Sequence, residues 1–309
     1  MKNDYKDVLV TGGNGLSGNA LRRVLHGAVF VGRNDFDLVH EEDVRNMYIA
    51  IRPRRVIHLA AKVGGIIDNI THQADYFDEN ILMNTLMIKY AKKFGVERFL
   101  GILSSCVFPD DIGAYPIKEE SLHDGVPAIT NFAYAMSKRA MATQIDAYNN
   151  QHGTKYNYIF PCNLYGEGDK DSEVRSHFLT ALIKKIYEAN KNGDDKIVLY
   201  GDGTPLRQFM YVGDLARIIK IILDNDITDS FNAVTEQNLS IRELTDIALR
   251  VTGSEYLKVE FDTTKPNGQI RKDLSMDKFK RLIPYFKFTS LEDGILWTYN
   301  DYKRIHATL

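Results

Sequence analysis

Five residues have types and spacings that could do chemistry: Ser104, Cys106, Tyr134, Lys138 and His177. Tyr134 and Lys138 are four apart, one helical turn, so both side chains would leave the same face of a helix. A tyrosine with an ordinary pKa of about 10 is a weak acid-base catalyst at neutral pH, and a nearby ammonium lowers that value. With Ser104 to hydrogen-bond a substrate oxygen, the trio implies proton transfer as a carbonyl and an alcohol interconvert beside a nicotinamide. Tyr-x-x-x-Lys alone arises easily by chance in a chain with 17 tyrosines. A Ser104-Ser105 pair at a predicted strand end and a glycine loop upstream give it context. Cys106 and His177 would add a second chemistry, the removal and return of protons on carbon. On position alone Cys106 reads equally as a small buried apolar residue and His177 as an ordinary histidine opening a helix. Cys162, in Pro161-Cys162-Asn163, reads as structural.

The cofactor would be held by Thr11-Gly-Gly-Asn-Gly-Leu-Ser-Gly18, between a predicted strand and a predicted helix. In Gly12-x-x-Gly15-x-x-Gly18 the first glycine permits the tight turn. The second lets backbone approach a pyrophosphate, and the third lets helix and strand pack closely. The helix start offers free N–H groups to the phosphates. Asn14 and Leu16 within the loop, Ala60 and Ala61 after the third strand, Lys138 and Pro161 complete the expected cofactor contacts. A site selective for NAD would end the second strand on an acidic residue that accepts from the ribose 2′-hydroxyl. Here the strand ends Val31-Gly32-Arg33, with Asp35 and Asp37 only afterwards, so a guanidinium is placed to hold a 2′-phosphate bidentately. The expected cofactor is NADP(H), and no metal site is expected.

These residues must be positioned by a scaffold whose pattern is legible. Short apolar strands at Asp7–Thr11, Ala28–Val31, Arg55–Ala60 and Arg98–Leu103 alternate with helical stretches at Leu16–Leu25, Glu41–Ile51 and Asn80–Phe94. Near-continuous apolar strands alternating with helices argue for an α/β fold, a doubly wound parallel sheet covered on both faces. Past Asn163 the alternation weakens. Leu164–Ser176 reads as loop and His177–Asn190 as helix. Strands at Lys196–Tyr200 and Tyr256–Phe261 and helices at Val212–Leu223 and Ile241–Val251 follow. The expected organisation is a dinucleotide-binding Rossmann domain over residues 1–165 and a smaller α+β lobe over 166–309. A segment at about 205–235 returns to the first domain, and the site lies in the cleft between them.

Bulk properties bound the function. The 309 residues are 44% hydrophobic and 26% charged, ordinary for a globular chain, and a net charge of -2 with no basic run argues against nucleic acid. Two cysteines exclude a disulfide scaffold and fit a reducing cytoplasm. The charged start is no signal peptide, and no apolar stretch approaches the ~20 residues needed to span a bilayer. A cytoplasmic protein with no membrane partner is expected.

Several longer stretches carry a resemblance. Leu59-Ala-Ala-Lys-Val-Gly-Gly65, Ser104-Ser-Cys-Val-Phe-Pro109, Asn131-Phe-Ala-Tyr134 with Lys138, and Asn163-Leu-Tyr-Gly166 come first. Gly201-Asp-Gly-Thr-Pro-Leu-Arg207-Gln-Phe and Phe261-Asp-Thr-Thr-Lys265-Pro-Asn-Gly268 follow. Across almost its whole length the chain resembles the extended short-chain dehydrogenase/reductases and, among them, the GDP-L-fucose synthase family, closer to its eukaryote-type members. The resemblance implies 3,5-epimerisation of GDP-4-keto-6-deoxy-D-mannose followed by NADPH-dependent reduction at C4. It assigns the epimerase chemistry to Cys106 and His177 and implies a homodimer. It further implies a GDP-sugar held by Ser105, Asn163, His177, Lys185, Tyr200, Arg207 and Lys265, with Lys185 where Arg is frequent and Tyr200 where Trp is usual. A redox-neutral nucleotide-sugar epimerase, or an enzyme for another GDP-4-keto sugar such as a dideoxyhexose or heptose, remains the alternative.

Overall fold

The computed structural model describes residues 4–169, 178–265 and 267–307. The chain opens with β1 (Val8–Thr11), α1 (Leu16–Arg22), β2 (Val29–Val31), α2 (Glu41–Ile51) and β3 (Arg55–His58). It continues through α3 (Ile66–Thr71), α4 (Gln73–Lys93), β4 (Arg98–Ile102), α5 (Phe132–His152), β5 (Asn157–Pro161) and β6 (Asn163–Tyr165). Then come α6 (Phe178–Asn192), β7 (Lys196–Tyr200), β8 (Leu206–Tyr211), α7 (Val212–Asp224), β9 (Phe231–Ala233) and β10 (Asn238–Ser240). The last elements are α8 (Ile241–Thr252), β11 (Lys258–Asp262), β12 (Arg271–Lys272), α9 (Asp277–Leu282) and α10 (Leu291–His306).

The expected parallel sheet is present, in the order β2-β1-β3-β4-β5-β9, every pairing parallel. Its strands are apolar because helices cover both faces; Val8, Leu9, Val10, Val56, Ile57 and Phe99 are almost wholly buried. The chain leaves β1 to form β2 on one side and crosses to β3 on the other. Ligands in open α/β sheets sit outside the strand ends at such a reversal. Late in the sequence β9 joins this sheet beside β5, and α7 packs against α1. The apolar residues of α7 recur at three and four (Val212, Leu215, Ala216, Ile219, Ile222) and enter the same core.

A second core gathers Tyr165, Leu182, Ile183, Ile186, Leu244 and Ile295, from β6, α6, α8 and α10. Its strands form two small sheets. β8 carries β10, β12 and β6 as neighbours, and β7 pairs with β11. Ser240 and Glu243 close a capping box on α8, and Gly253 ends the helix at φ 67°, a left-handed conformation natural to glycine.

Two sequence expectations change. The helix expected from Asn80 begins at Gln73, and Asn80 lies inside it. Its amide donates to the Tyr76 and Lys62 carbonyls at 2.7 and 3.1 Å, and its oxygen accepts from Lys62 N at 3.0 Å. An asparagine that looks like a helix start is thus a clamp on the loop after β3. The stretch expected to be loop from Leu164 begins within β6, which pairs with β8.

Candidate active site

Ser104 lies two residues beyond β4 and caps a single 3-10 turn, Ser105–Val107, its Oγ accepting from Cys106 N at 3.2 Å. This short turn fixes Cys106 relative to Ser104 by local geometry. Ser105 is buried under it. Tyr134 and Lys138 project from the first turns of α5. Lys138 is 1% exposed and donates from Nζ to the Ile102 carbonyl at 3.0 Å, at the end of β4. Strand end and helix start are thereby tied together at the reacting groups.

Burial governs the titration here. It pulls the Lys138 ammonium down to about 8. The same desolvation raises the Tyr134 phenol above its ordinary value, the Cys106 charge adds to the rise, and a hydrogen bond with Ser104 opposes it. The expectation that Lys138 depresses Tyr134 is therefore corrected: in this arrangement Tyr134 stays protonated, the form that gives a proton to oxygen. His58, on the adjacent strand β3, looks like a candidate base but is pushed down to about 3 by burial and by the Lys138 charge, with Asn84 opposing. It bonds Thr11 Oγ1 at 2.8 Å and Asn84 Oδ1 at 3.1 Å, and so joins β1, β3 and α4 as a neutral strut.

The glycine loop passes a test of fit. A Cβ on Gly12 would lie 2.8 Å from Ala60 N, and one on Gly18 would lie 2.6 Å from Gly12 O. Both positions are glycine because the chain itself leaves no room. A Cβ on Gly15 would meet only Gly12 O, at 3.4 Å, so its backbone is open to approach from outside, as a pyrophosphate requires. Gly13, absent from the spacing pattern, is equally constrained, with Phe30 Cβ at 2.8 Å. Asn14 is exposed, Leu16 opens α1, Ala60 and Ala61 line the end of β3 half-buried, and Pro161 closes β5 in the interior. At the end of β2, Asp35 is occupied in accepting from Gly32 N at 2.7 Å. Arg33 is exposed and bonds Asp37 at 3.1 Å and Glu79 at 3.4 Å.

The second lobe brings the other expected residues in two groups. Arg207 on β8 is half-buried, its guanidinium pulled down by burial and raised by the Cys106 charge. Asn163 on β6 donates to the Gln208 carbonyl at 2.9 Å. Farther out, Lys185 and Lys265 sit 6.0 and 5.9 Å from the Tyr200 ring centre, and Tyr200 is 63% exposed. His177 lies outside the described residues.

Two features have a role that the sequence does not reveal. Lys272 on β12 donates from Nζ to Cys106 Sγ at 3.4 Å. Gly64 lies under Tyr76 and Asp68: a Cβ there would come 2.1 Å from Tyr76 Oη, which bonds Asp68 at 2.6 Å. Tyr76 in turn packs edge-on against Tyr134, ring centres 6.4 Å apart. The Val-Gly-Gly signature therefore shapes the wall behind Tyr134, which the sequence marks only as a pattern.

The family model described as NAD dependent epimerase/dehydratase family matches residues 8–233. The chain is 36% identical to GDP-L-fucose synthase of Dictyostelium discoideum, over 94% of this chain and 93% of that one. It is 35% identical to GDP-L-fucose synthase 1 of Arabidopsis thaliana, over 98% and 94%. This chain belongs to the GDP-L-fucose synthase branch of that family. A solved GDP-L-fucose synthetase of Naegleria fowleri bound to NADP superposes on it with a TM-score of 0.86 at 33% identity, covering all of this chain and 95% of that one. The fold of this family member is an α/β, Rossmann-like one, as its alternating pattern predicts. Among the described residues no helix is long and apolar enough to cross a membrane.

Proposed function

We propose that this family member converts GDP-4-keto-6-deoxy-D-mannose to GDP-L-fucose, by epimerisation at C3 and C5 and NADPH-dependent reduction at C4. The observation that carries the reading is one cluster holding both kinds of proton-transfer group. Cys106 suits protons on carbon; Tyr134, with Ser104, suits a proton on oxygen. NADP(H), when bound, supplies the hydride for C4. Gly12, Gly13, Gly15 and Gly18 would shape its phosphate cradle, Arg33 would hold the 2′-phosphate, and Lys138 would take the nicotinamide ribose.

The ketone at C4 acidifies the protons at C3 and C5. Cys106 takes a proton from carbon, and His177 is assigned its return to the opposite face. Ser104 and Tyr134 hydrogen-bond the enolate oxygen, a task worth about 3 kcal/mol per donor. Tyr134 then protonates the C4 oxygen. Lys185, Arg207 and Lys265 hold the GDP diphosphate, Asn163 lies near the sugar, and Tyr200 lies near the nucleotide. We place the enzyme in the cytoplasm as a homodimer joined through α4 and α5, where Phe77 and Leu82 are exposed on α4.

The deciding experiment is incubation with NADPH and GDP-4-keto-6-deoxymannose in deuterated water, with NMR of the product. GDP-L-fucose carrying deuterium at C3 and C5 supports the reading. A D-configured product, or turnover only with a dideoxyhexose or heptose precursor, overturns it.

A further inference from the structure

The cations of the smaller lobe discussed so far, Lys185, Arg207 and Lys265, are absorbed by the diphosphate reading. Lys272 is not. It lies on β12, directly across from Arg207 in the parallel pairing with β8. Its Nζ is 3.4 Å from Cys106 Sγ. Among the described residues it pairs with no carboxylate, and the adjacent Asp273 is held by both nitrogens of the Arg271 fork at 2.5 and 2.9 Å. An ammonium with a thiol as neighbour and no competing anion stabilises one species there, the thiolate.

The two cysteines of the chain form an internal control. Cys162 is buried and Cys106 half-buried, and loss of water by itself raises a thiol pKa. Cys162, with no cation beside it among the described residues, is pushed up to about 12 by burial. Cys106 goes the other way: burial raises it, but the Lys272 charge, hydrogen bonds from Ser104 and Lys272, and the Arg207 charge together bring it below the ordinary value. Tyr134, which also faces Cys106, is neutral and supplies no opposing charge.

We propose that Lys272 is a positioning residue that holds Cys106 as the thiolate and aims its sulfur, making it competent to take a proton from carbon. The proposal rests on the reading of Cys106 as the base in epimerisation. In that step the C–H bond breaks and an S–H bond forms. The electron pair passes into the enolate, and Lys272 keeps its own proton throughout. A lowered pKa enlarges the thiolate fraction while weakening the base, so the best setting is near the working pH. A single ammonium contact tunes the thiol in that direction.

The test compares wild type with Lys272→Met and Lys272→Arg. The first measurement is iodoacetamide alkylation of Cys106 against pH without substrate, with Cys106→Ser as the blank that removes any signal from Cys162. Lys272→Met should slow alkylation at pH 7 by about tenfold and move the profile to higher pH, and Lys272→Arg should restore most of the rate. The second is deuterium entry at C3 and C5 of GDP-4-keto-6-deoxymannose, which should fall in Lys272→Met through kcat with KM little changed. An unchanged alkylation profile overturns the proposal whatever the enzyme's reaction. A raised KM with the profile unchanged also overturns it and makes Lys272 a diphosphate ligand. A shifted profile with normal deuterium entry leaves the ion pair standing and overturns the reading of Cys106 as the carbon base. Lys272→Gln replaces Lys272→Met if the latter fails to fold.

Discussion

The two halves of the candidate site are built differently. In the sheet lobe, Lys138 is buried and anchored to a backbone carbonyl, and Tyr134 is desolvated against Tyr76. In the smaller lobe, Lys185 and Lys265 reach an exposed tyrosine from α6 and from a turn after β11, with Lys185 also donating to the Val198 carbonyl at 3.0 Å. Desolvation strengthens electrostatics and shifts ionisation, so groups that exchange protons belong in the first setting. Recognition of a charged, variable ligand needs only cations within reach, and an exposed side chain meets that need without being stripped of its water. On the proposed reading, reaction and recognition are divided between the buried and the exposed parts of the candidate site.

The sharpest way to break this contrast is Tyr134→Phe. Removing one hydroxyl should lower NADPH oxidation by about 10²–10⁴-fold while deuterium entry at C3 and C5 continues more slowly. Reduction within tenfold of wild type would remove Tyr134 from the reaction.

Lys138→Met should also abolish turnover, yet leave the melting temperature unchanged or higher. Burial sets the folded pKa at about 8, below the unfolded 10.5. The ammonium therefore costs the fold about 3 kcal/mol below pH 8, and that cost is relieved as pH rises from about 8 towards 10.5. Denaturant titrations of wild type should show stability rising across that window, and Lys138→Met should lack the rise. A large loss of stability in the variant would show that the bond to Ile102 outweighs desolvation.

In the exposed half the effects should be smaller and of another kind. Lys265→Ala should raise KM for the GDP-sugar about tenfold, the low end for a charge-assisted contact, with kcat within twofold. The increase should shrink in high salt, because exposed charges are screened. A change confined to kcat would place Lys265 with the reacting groups instead.

Arg33→Ala should give the smallest change. Its guanidinium is already engaged by Asp37 and Glu79, so a 2′-phosphate must compete with two carboxylates. We expect KM for NADPH to rise by less than about tenfold and KM for NADH to stay put. Glu79→Gln, which removes one competitor, should sharpen the preference for NADPH in steady-state kinetics. Equal effects on both cofactors would make Arg33 an ordinary surface charge.

Much of this architecture is legible in the order of the residues. The parallel sheet follows from apolar strands recurring between helices, a local signal repeated along the chain. The glycine loop is legible too, although the spacing pattern omits Gly13, whose constraint comes from Phe30 on the neighbouring strand. Asn80 misleads because the apolar positions that reveal the helix begin just after it, whereas the helix starts at Gln73 and Asn80 clamps the Lys62 backbone 18 residues away. Lys272 carries no signal, because nothing in Ile-Arg-Lys-Asp announces a thiol 166 residues earlier in the chain.

By itself the sequence determined which side chains are available and which of them travel together. The i to i+4 interval of Tyr134 and Lys138 and the turn linking Ser104 to Cys106 are properties of a few consecutive bonds. Only the tertiary structure decided their ionisation. Whether Tyr134 keeps its proton, Lys138 falls to about 8, and Cys106 and Cys162 move in opposite directions depends on burial and on charges brought in by β8 and β12. Desolvation and Coulomb forces act through space, and the distances that set them exist only once the two lobes have packed.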